Sequence, residues 1–168
     1  FQNCCQQRPK AAQFRFQNSF RSSQDVMTSL SPLLHNFSSE DVAQLSTFGE
    51  SRCYIAGETI IEEGEPNSHL HILLKGTVEV FKQGEHGSLR IAEITTTGSL
   101  GEMSIFDPGP SSATVKAVTD VEVWRTTQDQ LDRMHEIRPK VAYRLVCRIS
   151  QVLSQRLRKL NEQIADVG

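Results

Sequence analysis

Between Ser51 and Arg125 the apolar residues recur at every second position, in short runs that glycine keeps interrupting. LHILLK (70–75) places Leu70, Ile72 and Leu74 on one face and His69 and His71 on the other, and Val78 and Val80 resume the alternation beyond Gly76. GEP (64–66) marks a turn, QGEHGS (83–88) a hairpin loop, LRIAEI (89–94) a further strand, and ATVKAVTDVEVWR (113–125) reads strand, turn, strand. Short strands joined by glycine-rich turns at even spacing indicate an all-β barrel or sandwich, which predicts that residues 51–126 form one β domain.

Helical periods flank it. Over residues 25–50, Val26, Met27, Leu30, Leu33 and Leu34 have helix-like spacing, interrupted at Pro32. A second helix is predicted from Ser38 as N-cap, with Asp41 at the third position and Phe37 positioned to staple on Val42. Val42, Leu45 and Phe48 share its face, and Gly49 is expected to stop it. Over residues 127–168, Thr127 with Gln130 caps a short helix, QDQLDRM, and Pro139 suits the first turn of another. Val146, Ile149, Leu153, Leu157, Leu160 and Ile164 then form a narrow stripe, with Arg144, Arg148, Arg156, Arg158 and Lys159 off it. Such a stripe predicts a coiled-coil-like seam between two copies, or a helix lying against the barrel. Residues 1–24 alternate Phe1, Phe14, Phe16 and Phe20 with Arg8, Lys10, Arg15 and Arg21, and are read as an N-terminal arm or linker.

Composition excludes several classes. A net charge of −2 over 168 residues supplies no overall field for nucleic acid or an acidic membrane. No apolar run reaches the length of a membrane span, and QNCCQQRPK has no apolar core of a signal peptide. The start at Phe1 reads as a fragment or a processed product. Cys4, Cys5, Cys53 and Cys147 have neither zinc-ligand spacing nor a disulfide framework, which points to free thiols and a reducing cytoplasm. No nucleophile elbow, Walker loop or HExxH occurs, and Glu62, Glu63 and Glu65 form a charged turn, so no catalytic residue is assigned. His69 and His71 share a strand face as a cupin-type metal pair would, but Ile72–Gly76 lacks the carboxylate that should follow, and no metal site is assigned.

One stretch remains, GEMSIFDPGPSSATV (101–115). Its glycines, hydroxyls and carboxylate suit an anion cradle: backbone N–H groups at a tight turn or helix start, donors from Ser111, Ser112 and Thr114, and Glu102 as acceptor for a sugar hydroxyl. The same residues also suit a plain hairpin turn. The stretch contains no Arg or Lys.

Over residues 37–160, RCYIAGETIIEEGEPNSHLHILLKGTVEVF, IAEITTTGSLGEMSIF and SSATVKAVTDVEVWRTTQDQLDRM, with Gly57, Gly64, Gly76, Gly98 and Gly101 in register, resemble the cyclic nucleotide-binding domain family. The resemblance implies a jelly-roll (double-stranded β-helix, cupin-like) barrel with flanking N- and C-terminal helices. It implies cAMP or cGMP as the ligand class, with Gly101, Glu102, Met103, Ser104, Ser111, Ser112, Ala113 and Thr114 as the ligand-binding cassette. Glu102 matches the family's ribose-holding Glu, and Ser111 stands where the family has Arg. A charge-assisted hydrogen bond contributes about 1.5–3 kcal/mol against about 1 for a neutral one. At roughly 1.4 kcal/mol per tenfold, losing the Arg weakens nucleotide binding by about ten- to a hundredfold. Two readings follow. One is a cytoplasmic regulatory domain that binds a cyclic nucleotide or related anion, couples the site to its C-terminal helices, and dimerises through them or serves a missing output domain. The other is a degenerate domain that binds no nucleotide and acts as a dimerisation or interaction module. No helix-turn-helix is recognised, so direct DNA binding by this chain is not expected.

Overall fold

The structure, a computed structural model, describes residues 32–34, 37–95 and 98–165. The N-terminal arm, the helical spacing at Val26, Met27 and Leu30, and Cys4 and Cys5 lie outside the described residues. Among the described residues eight strands run β1 (Glu50–Tyr54), β2 (Thr59–Ile61), β3 (His69–Lys75), β4 (Val78–Gly84), β5 (Gly87–Ile94), β6 (Ser99–Leu100), β7 (Thr114–Ala117) and β8 (Val121–Thr127). They pair into two antiparallel four-stranded sheets, ordered β1-β8-β3-β6 and β2-β7-β4-β5. Successive strands thus alternate largely between two facing sheets, the wiring of a jelly roll. The predicted hairpin loop closes β4 on β5 with Gly84 opposite Gly87.

Register follows the alternation in the sequence. Leu70, Ile72 and Leu74 point out of the first sheet into a core shared with the helices, beside Trp124, Leu145 and Ile149. Leu73 points the other way, into a second core between the sheets with Val78, Leu100, Val115 and Val123. The apolar trio is buried as expected, but so is His71 on the opposite face. A strand clothed by helices outside and by a second sheet inside has no solvated face, so alternation there separates two cores rather than core from water.

Helix α1 (Ser39–Leu45) begins as read: Ser38 Oγ accepts from Asp41 N at 3.1 Å, and Asp41 Oδ2 accepts from Ser38 N at 3.1 Å. Its end differs. After Leu45 the chain tightens into a 3-10 turn, Ser46–Phe48, and Gly49 is extended (φ −172°), a conformation open to any residue. The glycine is required by space instead, since a Cβ there would lie 2.5 Å from Arg125 O and from the Trp124 ring. Helix α2 (Glu102–Phe106) interrupts the stretch read as an anion loop. Helix α3 (Gln128–Ile137) carries the predicted Thr127–Gln130 capping box, and α4 (Pro139–Ala165) runs 27 residues from its N-terminal proline.

The stripe on α4 does not stay on one side of the interface between protein and water. Ile149 is fully buried in the domain's own core, and Leu153 packs partly against it. Leu157, Leu160 and Ile164 are 59%, 51% and 72% exposed. A seam running the whole stripe is therefore excluded at Ile149, which already has its partners. The N-terminal half of α4 is further tied down by Arg144 to Asp41 (2.6 Å) and by Arg148 Nε to Leu33 O (3.1 Å).

Candidate ligand-binding site

Gly101 makes the turn that builds the site. Its φ of 73° is in the left-handed region, and a Cβ there would collide with the Asn67 amide and lie 2.5 Å from His69 O. The turn feeds directly into α2, where Glu102 and Ile105, three apart, both face inward while Met103 and Phe106 face solvent. Asp107 N bonds Met103 O at 2.8 Å and closes this half. The other half, Pro110–Thr114, is pinned to the turn after β2: Ser111 N to Glu65 O and Gly64 N to Ser111 O, each 2.9 Å. Lys82 Nζ, on β4, bonds Ser112 O at 2.7 Å and Glu63 Oε1 at 2.6 Å, so this cation holds the loop's backbone.

Between the halves lies a cavity of about 160 Å³. One wall is apolar, from Ile61, Val80, Ile91, Ile94 and Leu100; the other carries Gly101, Glu102, Met103, Ser104, Ser111, Ser112 and Ala113. Seven of the eight residues anticipated from the sequence are thus brought together. Thr114 is not: its hydroxyl accepts from Glu63 N at 3.0 Å, tying the cassette to the neighbouring turn. The sequence reading missed Arg156, which reaches the cavity from α4. Its Nη1 donates to Glu102 Oε1 at 2.7 Å and its Nη2 to Ser99 O at 2.6 Å. The apolar wall from β4 and β5 was visible as strand alternation, but no local signal marks a helix residue some fifty positions downstream as part of the site.

Polar valence in the cavity is incomplete. Glu102 and Ser111 are 5% and 7% exposed, yet Glu102 Oε2 and Ser111 Oγ have no hydrogen-bond partner. Buried polar atoms are normally paired, and leaving them bare costs about 1–3 kcal/mol each. Burial pushes the Glu102 carboxyl above the usual carboxylate range, against the opposing pull of Arg156. Ser112 Oγ turns to Met103 Sδ at 3.5 Å. No His or Cys lines the cavity among the described residues; its charged side chains there are Glu102 and Arg156. A second hollow, about 450 Å³, lies across α2, but there Ser68 Oγ is already engaged by His69 Nδ1 and Thr127 Oγ1 by α3. The His69 and His71 rings stand 6.0 Å apart, and no cluster of three His, Cys, Asp or Glu among the described residues suits a metal ion.

This geometry, a glycine turn leading into a short helix inside a jelly roll with a buried carboxylate beneath a serine-rich loop, coincides with a match over residues 51–138 to the model of the cyclic nucleotide-binding domain. The chain belongs to the cyclic nucleotide-binding domain family. It is 32% identical over 112 residues to a CRP-like cAMP-activated global transcriptional regulator of Mycobacterium tuberculosis, covering 66% of this chain and 48% of that protein. A cyclic nucleotide-binding domain from Methylobacillus flagellatus superposes with a TM-score of 0.74 at 27% identity, over 79% of this chain and 75% of that one. The Thermus thermophilus catabolite activator protein superposes with a TM-score of 0.67 at 26% identity, over 81% and 62%. The chain spans about half the length of the mycobacterial regulator it matches. No helix among the described residues is long and apolar enough to cross a membrane.

Proposed function

We propose that this cyclic nucleotide-binding domain is a cytoplasmic sensor module, not an enzyme, that takes cAMP, cGMP or a related small anion into the cavity under α2 and signals through α4. The observation that carries the reading is the pair of unpartnered buried atoms, Glu102 Oε2 and Ser111 Oγ, in one cavity. A ribose hydroxyl donating to the first and an anionic oxygen accepting from the second would satisfy both. The exposed apolar residues Leu157, Leu160 and Ile164 on α4 support a homodimer formed by the distal half of that helix, or contact with an output domain.

The degenerate reading has its own observation, Ser111 in place of the cassette Arg. Calorimetric titration with cAMP, cGMP and cyclic dinucleotides decides between them. The sensor reading expects measurable heat from at least one of these, and a gain on Ser111→Arg of about five- to a hundredfold in affinity, one charge-assisted hydrogen bond. A folded wild type and a folded Ser111→Arg that are both silent at millimolar nucleotide would establish the degenerate module.

A further inference from the structure

A cassette without a cation poses an electrostatic difficulty. Glu102, the one carboxylate among the described residues that line the cavity, would repel an anionic ligand across a short, poorly solvated distance. The fold answers from another element. Arg156 sits on α4, pairs with Glu102 at 2.7 Å, and is the single cation among the described residues that line the cavity. Ser99 O and Glu102 Oε1 fix its guanidinium from one side, and the planar fork carries further N–H donors beyond these two bonds. The side chain is 32% exposed, so it is neither sealed off from a ligand nor fully screened by water.

We infer that Arg156 is the anion-binding residue of this cavity: α4 supplies from outside the cassette the charge that Ser111 lacks, and a ligand's phosphodiester rests on Arg156 with Ser111 Oγ as neutral donor. The inference rests on the reading of the cavity as a nucleotide site and specifies how that site works here. A molecule carrying a sugar hydroxyl beside an anionic phosphodiester meets Glu102 Oε2, Ser111 Oγ and Arg156 together, which a bare anion or a neutral nucleoside does not. The consequence for signalling is direct. From Ser154 to Ala165 every residue of α4 is exposed except Arg156, so this side chain is the point at which the distal helix meets the barrel. A ligand held by Arg156 acts on that helix without an intermediary.

The test is calorimetry of the full chain with cAMP and cGMP on four proteins: wild type, Arg156→Gln, Ser111→Arg and the double variant, with thermal melts as fold controls. The expected result is a ten- to hundredfold loss of affinity in Arg156→Gln that Ser111→Arg restores, the gain from Ser111→Arg being larger on that background than on wild type. Unchanged affinity in Arg156→Gln overturns the inference and leaves the nucleotide reading intact. So does a loss that Ser111→Arg fails to restore, since Arg156 would then act only by holding Glu102. A silent wild type with a binding Ser111→Arg also overturns it, because Arg156 would not be supplying the charge. Silence in both the wild type and Ser111→Arg removes the nucleotide reading itself. Should Arg156→Gln not fold, Arg156→Lys replaces it, with a smaller loss expected from a point charge in place of a fork.

Discussion

The two sheets of the barrel have similar strand counts and opposite surroundings. In β1-β8-β3-β6 the central strands are buried almost end to end, because the helices cover the outer face and the second sheet covers the inner. In β2-β7-β4-β5 the hairpin β4–β5 grades from a buried start at Val78 to exposed tips, and β5 is exposed along nearly its whole length. The first sheet is where burial stabilises the fold. The second keeps apolar side chains such as Ile91 half in water, at the edge of the cavity. An open wall is a poor contributor to stability and a good surface for a ligand, whose arrival completes its burial.

The largest effect should come from testing that contrast by truncation. Trp124 is buried at the junction of β8, β3 and the helices, and Trp124→Ala should cost about 3–5 kcal/mol in urea denaturation. Ile91→Ala on β5 should stay within about 0.5 kcal/mol of wild type. Equal losses would mean that the exposed sheet carries as much of the core as the covered one.

Acid should separate the sheets next. Burial, with smaller contributions from His69 and Arg125, pushes the His71 imidazole in β3 down to about 3. The unfolded chain then binds a proton near pH 6.5 that the folded chain refuses, so stability contributed by neutral His71 is fully present above that range. It is lost progressively as pH falls from about 6.5 toward 3, by a few kcal/mol at most. His71→Leu should flatten the fall of the urea midpoint between pH 6.5 and 4. An unaltered slope would show that His71 is already charged in the fold.

The smallest effect concerns the part of α4 that leaves the first sheet behind. If its distal half pairs with a second copy, Leu157→Asp should raise the dimer dissociation constant at least tenfold, about 1.4 kcal/mol, in sedimentation velocity, with monomer stability nearly unchanged. A wild type that sediments as a monomer at high micromolar concentration would remove the seam.

Much of the fold was legible because it is written in local chemistry. The Ser38 and Thr127 capping boxes, the Gly84–Gly87 hairpin and the alternation of β3 each depend on residues a few positions apart, and each appears where the period and the turn residues place it. The polar wall of the cavity was legible for the same reason: Gly101, Glu102 and the serines lie within one short stretch. Gly49 was misread because its requirement is spatial, set by Trp124 and Arg125 more than seventy positions away. Thr114 was grouped with the cavity residues, but pairing β2 with β7 leaves it off the cavity wall, with its hydroxyl accepting from Glu63 N.

The sequence by itself determined the β-rich middle, the helical ends, and the glycine- and serine-rich stretch 101–115 with its lack of a local cation, since periodicity, capping and motif spacing act along the chain. Only the tertiary structure decided that both faces of β3 are interior, that Ile149 belongs to the core while Leu157 does not, and that Arg156 meets Glu102. Those outcomes depend on which surfaces come to lie against each other in space. A helical arginine fifty-four residues beyond a carboxylate becomes its partner only when the barrel and the final helix pack, and no spacing rule along the chain encodes that distance.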